Sequence, residues 1–105
     1  IVFEAASACT KSFRFPSIKN IKIYQTLSET EFNIDPEDSG FKPNCLIDIS
    51  GFIERKLEIM KLYKSEIGIH PFPRSEESIK AQSLLMGSLA NTLYAEGFIT
   101  LREII

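Results

Sequence analysis

The chain contains a single histidine and two cysteines, and that shortage restricts the chemistry it can perform. A catalytic zinc centre takes three protein ligands, usually histidine with aspartate or glutamate, and keeps a further position open for water. His70 has no His-x-x-His or His-x-x-Asp partner, and recruiting Asp35, Asp38 or Asp48 does not create one. No catalytic zinc is expected to be bound by this chain alone. Cys9 and Cys45 lie far apart with no second cysteine or histidine at ligand spacing. They are expected to be small buried hydrophobes in a reducing, cytoplasmic setting. No serine stands in a glycine elbow, and no glycine-rich loop is present to cradle a phosphate.

Long apolar runs are missing as well. Uninterrupted stretches extend for only a few residues, far short of the roughly 20 needed to cross a bilayer. A soluble protein without a membrane span is expected. The formal net charge is −2, with acidic and basic residues interspersed, so there is no basic stripe to neutralise nucleic-acid phosphates. DNA and RNA binding are not expected. The chain opens Ile1-Val2-Phe3, without methionine, and these residues read as the inside of a helix rather than a signal peptide. The natural polypeptide is expected to extend upstream.

The 105 residues, 44% apolar and 25% charged, are those of one folded unit with one modest core. Val2, Ala5, Ala6, Cys9 and Phe13 recur at spacings of three and four, which predicts a helix over residues 1–13 ended by Phe15-Pro16-Ser17. From Ile18 to Leu27 the period becomes two, predicting a strand with Ile21, Ile23, Gln25 and Leu27 on one face. Asn33 to Pro43 carries two prolines, a glycine and acidic turn formers and reads as a long loop. Cys45 to Ile49 is a short apolar run, after which Ser50 offers an N-cap to the strongest helix of the chain. Ile53, Leu57, Met60 and Ile67 form one stripe on that helix, with Phe52, Ile59 and Tyr63 beside it. Gly68 reads as its left-handed stop, and Pro71 forbids continuation. A last helix is predicted from a Ser75 cap, with Glu76 and Glu77 in its first turn, to about Asn91. Residues 94–101 fit both templates, with a strand from Phe98 to Leu101 preferred.

Each candidate functional residue has two readings. His70 follows a predicted helix end, where an imidazole can hydrogen-bond the last carbonyls. Alternatively, the flanking Pro71 and Pro73 hold the backbone extended and aim His70 and Arg74 at a substrate. Ser28 and Thr30 stand in an acidic turn past a strand end, either solvated or facing a ligand. Lys56, Tyr63 and Lys64 read as snorkelling or rim side chains on the inner half of the strong helix.

Taken in order, "KLEIMKLYKSEIGIHPFPRSEESIKA", a glycine within the following helix and "YAEGFITLREI" resemble the carboxy-terminal part of the LmbE-like/PIG-L deacetylases. That family pattern has a helix of the form K-x-E-x-x-x-x-Y-x-S-[QE], then HP-x-x-RS, a glycine-bearing helix and YAE-x-F. "YQTLSETEF" and "PNCLIDIS" fit the preceding segments, so the likeness runs from about Ile21 to Ile105. It implies an α/β fold that is the carboxy-terminal part of a Rossmann-like three-layer domain. The activity it implies is zinc-dependent hydrolysis of the N-acetyl group of an amino-sugar conjugate. The zinc and base motifs of the family are absent here; they would belong to the amino-terminal half, as a partner of this portion, or else the exposed faces pack against another copy in a homo-oligomer. His70 and Arg74, with Ser28 and Thr30, are the residues that the resemblance offers to substrate. Departures from the pattern fall at Met86, where arginine is usual, at Glu66, where glutamine is frequent, and at Gly97, where alanine is usual. They bear on the substrate more than on the fold. The rival reading, from another class, is a non-catalytic α/β interaction or structural module.

Overall fold

A computed structural model describes residues 1–32, 34–37 and 40–105. Among these, the chain runs through α1 (Val2–Ala8), β1 (Asn20–Tyr24), a single 3-10 turn (Thr30–Phe32), β2 (Cys45–Asp48), α2 (Ile53–Lys61), α3 (Glu76–Ala90) and β3 (Ala95–Glu103). It is a mixed α/β unit. The last strand in sequence is the middle one in space, giving the order β1-β3-β2 with both pairings antiparallel. Tyr24 and Cys45 both face Phe98 across the ladder, so the ends of the two outer strands meet at one point of β3. Between Ile21 and Lys22 the register slips, leaving Leu101 as the extra residue of a bulge.

The core lies where α2 and α3 converge beside the end of β2. Ile49, Ile53, Leu57 and Ile79 are buried together, and Leu27, Met60, Ile67 and Tyr94 pack around them. The expected stripe is therefore correct in its members and wrong in its geometry. α2 stops at Lys61, and Ile67 returns to the core after the chain has left the helix. Tyr63 and Lys64 consequently lie beyond the helix in exposed positions, as Phe52 and Ile59 do on its outer face. Gly68 is not the left-handed stop either, because its φ is not positive. It is small for another reason: a Cβ there would stand 2.4 Å from Phe72 Cδ1.

Ser50 does not cap α2. The N-cap position is Phe52, without a side-chain bond, and the Ser50 hydroxyl donates to Asp48 Oδ1 at 2.6 Å while accepting the Tyr94 N–H at 3.2 Å. Together with Ile49 N–H to the Tyr94 carbonyl, 2.9 Å, this ties the end of β2 to the start of β3. Asp48 is held below its ordinary value of 3.8, first by the Ser50 hydroxyl and then by the Ser50 N–H. By contrast, Ser75 caps α3 as expected: it is fully buried and accepts the Ser78 N–H at 3.1 Å. α3 closes on Asn91 in the left-handed conformation, φ 56°.

The first two elements are shorter than predicted. α1 ends at Ala8, followed by turns, and none of its residues is buried; Val2 is 82% and Phe13 77% exposed. Cys9 is exposed and Cys45 half-buried, and both are free thiols, so the expectation of two buried cysteines fails at Cys9. β1 ends at Tyr24 because the chain then turns, with Thr30 N–H bonded to the Thr26 carbonyl at 2.9 Å. Of the loop expected over Asn33 to Pro43, Asn33, Asp38 and Ser39 lie outside the described residues, and the described part holds no helix or strand. The strand expected from Phe98 to Leu101 is present and longer, spanning Ala95–Glu103. Among the described residues β1 pairs only with β3, and α1, none of whose residues is buried, stands across a cleft from Ile21, Ile23 and Leu101. No helix is long and apolar enough to cross a membrane among the described residues.

Candidate functional site

The four residues singled out in sequence lie on two turns linked by one hydrogen bond, Arg74 to Ser28, and the structure uses three of them internally. Arg74 donates from Nη1 to Ser28 Oγ at 2.8 Å, from Nε to the Glu66 carbonyl at 2.9 Å, and pairs through Nη2 with the Glu66 carboxylate at 3.3 Å. Its guanidinium also sits 5.5 Å from the Phe72 ring centroid. Only a planar fork of donors can make these contacts at once. Arg74 thus clamps the segment before Gly68 to the turn at Ser28, across 46 positions of sequence.

Ser28 takes a positive φ of 71°, and its N–H is bonded to the Glu31 side chain. Thr30 accepts the Thr26 N–H on its hydroxyl at 3.0 Å. Both residues hold the turn in shape, and Ser28 is joined to Arg74 whereas Thr30 is not. Gly68 and Ser75 form a short parallel bridge, with Gly68 N–H to the Arg74 carbonyl at 3.2 Å. That bridge closes the loop bearing His70, which follows Ile69 and precedes Pro71 and Phe72.

His70 is exposed and has no hydrogen bond or ion pair to any described residue. The reading in which it caps a helix end is therefore overturned, because α2 ends at Lys61 and its last turn is closed by backbone bonds to Ile59 and Met60. What remains is an unengaged imidazole, a donor and acceptor together, on a loop whose two ends are fixed by the bridge and by Arg74.

A second constellation was not singled out in sequence. Lys56 Nζ and Glu96 Oε1 pair at 2.7 Å with both side chains about one-third exposed, joining α2 to the start of β3. Lys56 is therefore ion-paired rather than simply snorkelling. The pair borders a cleft of about 240 Å³ between α3 and the strands, which Tyr24, Gln25, Gln82 and Met86 also line. The lysine and the glutamate were both visible in the K-x-E and YAE elements of the resemblance, but their separation by 40 positions of sequence concealed their pairing. The two departures at Met86 and Gly97 meet here: a Cβ on residue 97 would stand 2.7 Å from Met86 Sδ. They act as one feature, the thioether occupying the space that an alanine methyl would need.

Among the described residues no group of three His, Cys, Asp or Glu side chains is placed to hold a metal ion. What the described residues around His70 offer is donors, acceptors and an imidazole. No protein-family model matches the chain.

Proposed function

We propose that this chain is the carboxy-terminal portion of a zinc-dependent deacetylase that hydrolyses the N-acetyl group of an amino-sugar conjugate. In this reading the metal and general base come from the amino-terminal half, and the three-stranded antiparallel sheet extends a larger Rossmann-like sheet, as a single antiparallel edge strand extends many doubly wound sheets. The observation that carries the proposal is His70: the only imidazole of the chain is unengaged, on a loop anchored at both ends. The exposed α1 and β1, paired only with β3 among the described residues, support it too, since such surfaces are ordinarily covered.

Within that assembly His70 would hydrogen-bond the substrate at or beside the reacting amide. Arg74 acts by holding the loop, its donors already directed to Glu66 and Ser28, so it positions rather than binds. Ser28 and Thr30 shape the neighbouring turn. The second reading, a non-catalytic interaction module, is favoured by the same internal use of Ser28, Thr30 and Arg74.

The two readings separate on His70→Ala in the natural full-length product. Acetate release should fall by at least about 10²-fold, the usual loss for a proton-transfer group. Stability should change by no more than about 0.5 kcal/mol, since the side chain is exposed and makes no bond. Normal turnover in the variant would reject the catalytic role, whatever its melting temperature.

A further inference from the structure

We infer that α3 carries a second contact face, on the side away from the core, and that a second copy of this chain covers it in a two-fold symmetric pair. This goes beyond the deacetylase reading and stands whether or not that reading holds. The inner side of α3 is already used, with Ile79, Ser83, Met86 and Gly87 buried. A surface helix with one buried stripe ordinarily turns charged and polar residues outward. On the outer side stand instead Ala81, Leu84, Leu85, Ser88 and Leu89, all exposed, at the spacings of three and four that line up along one side of a helix. Leu84 is 49% exposed, Leu85 and Leu89 60% each, and Leu93, just past the helix end, 74%. Ser88 adds no unmet polar group, because its hydroxyl donates to the Leu85 carbonyl at 2.6 Å. Single leucines scattered over a surface need no explanation, whereas a contiguous apolar patch marks a contact site.

Charge identifies the occupant. A quarter of the chain is charged, yet residues 81–95 contain no Asp, Glu, Lys or Arg. A face built for a partner of opposite charge would carry charge of its own. A two-fold interface sets one patch against an identical patch, so any charge near the axis meets its like, and neutrality there is what self-association requires. The acidic residues of α3, Glu76 and Glu77, lie at its other end, where Glu76 pairs with Lys61 at 3.4 Å.

Size complementarity points the same way. With two copies of α3 antiparallel and the axis at Leu85, Leu89 of each copy stands over Ala81 of the other, large against small. The two Glu77 residues are then separated by roughly 24 Å along the helices, at 1.5 Å of rise per residue, and do not oppose each other.

The test is sedimentation of the natural full-length product over a range of concentrations. A reversible dimer is expected with a dissociation constant of about 1–100 µM, since one helix per protomer makes an interface at the small end of the usual range. Leu85→Glu and Leu85→Lys should each weaken self-association at least about tenfold by placing like charges at the axis, and an equimolar mixture of the two should dimerise again. Because Leu85 is exposed, both variants should melt as the parent does at concentrations where the parent is monomeric. If a charged variant fails to fold, Leu85→Cys in a Cys9→Ser background gives the same readout: oxidation should link two copies through residue 85 and leave the Cys9→Ser parent unlinked. The inference is overturned if no association appears by about 1 mM, if the dimer survives Leu85→Glu, if the mixture stays monomeric, or if the Leu85→Cys chain does not link. It is also overturned if Leu85→Glu lowers the melting temperature of a monomeric parent, since another segment of the same polypeptide would then be what covers the stripe.

Discussion

Replacing Leu57 by alanine is expected to lower the free energy of unfolding by about 2–5 kcal/mol. Leu57 is 3% exposed and sits in the cluster of Ile49, Ile53 and Ile79, where α2, α3 and the end of β2 converge. Truncation removes the transfer free energy of the side chain and leaves a cavity among branched side chains that are held on separate elements. The same change at Ile59, which faces outward on the same helix, should cost less than about 0.5 kcal/mol. Denaturant unfolding of the two variants checks both figures. Equal losses would mean that α2 does not present the face described.

Gly87→Ala is expected to destabilise the chain by about 1–3 kcal/mol, the usual cost of overpacking, although helix propensity alone argues for a gain of about 1 kcal/mol. The sign is decided by what the methyl group meets. An added Cβ would lie 2.7 Å from the Leu93 carbonyl oxygen, 2.8 Å from that of Thr92 and 2.9 Å from the Leu93 carbonyl carbon. Those atoms are backbone. They cannot retreat easily, because Thr92 N–H is bonded to the Gly87 carbonyl at 2.9 Å and Tyr94 N–H to Ser50 Oγ at 3.2 Å. A stabilised Gly87→Ala variant in thermal or denaturant unfolding would show that the turn after α3 is not packed against the helix in this way.

These two residues also mark what was legible in the sequence. Leu57 and Ile53 could be read from period alone, and the Ser75 cap from local chemistry alone, since each depends on neighbours within a turn or two. Periodicity could not show that the chain leaves the helix at Leu62 and returns at Ile67, because both courses bury the same apolar residues. Ser50 stood in the right place for a cap, but its hydroxyl is committed to Tyr94, 44 positions away, a contact invisible to local reading. Gly87 entered only as part of a family pattern, and the close approach of residues 92–93 supplies its physical reason.

The candidate site divides along the same line. His70 and Arg74 were identified from the rigid turn around them, yet Arg74's role follows from Glu66 and Ser28, and the second of these is remote in sequence. The Lys56–Glu96 pair, joining α2 to β3, had no local signature. Many residues that carry the family resemblance, Ser50, Arg74, Ser75 and Gly87 among them, serve the fold. The functional proposal accordingly rests on few side chains, chiefly His70.

The central claim is that this chain works as part of a zinc-dependent N-deacetylase, and acetate release tests it most directly. The natural full-length product, assayed on an N-acetylglucosamine conjugate with its metal content measured, is predicted to carry stoichiometric zinc, to release acetate, and to lose that activity on chelation. The chain of residues 1–105 alone is predicted to bind no stoichiometric zinc and to release no acetate. A full-length product that binds zinc in no fixed ratio and releases no acetate from any N-acetyl amino sugar offered would contradict the account and leave the non-catalytic module.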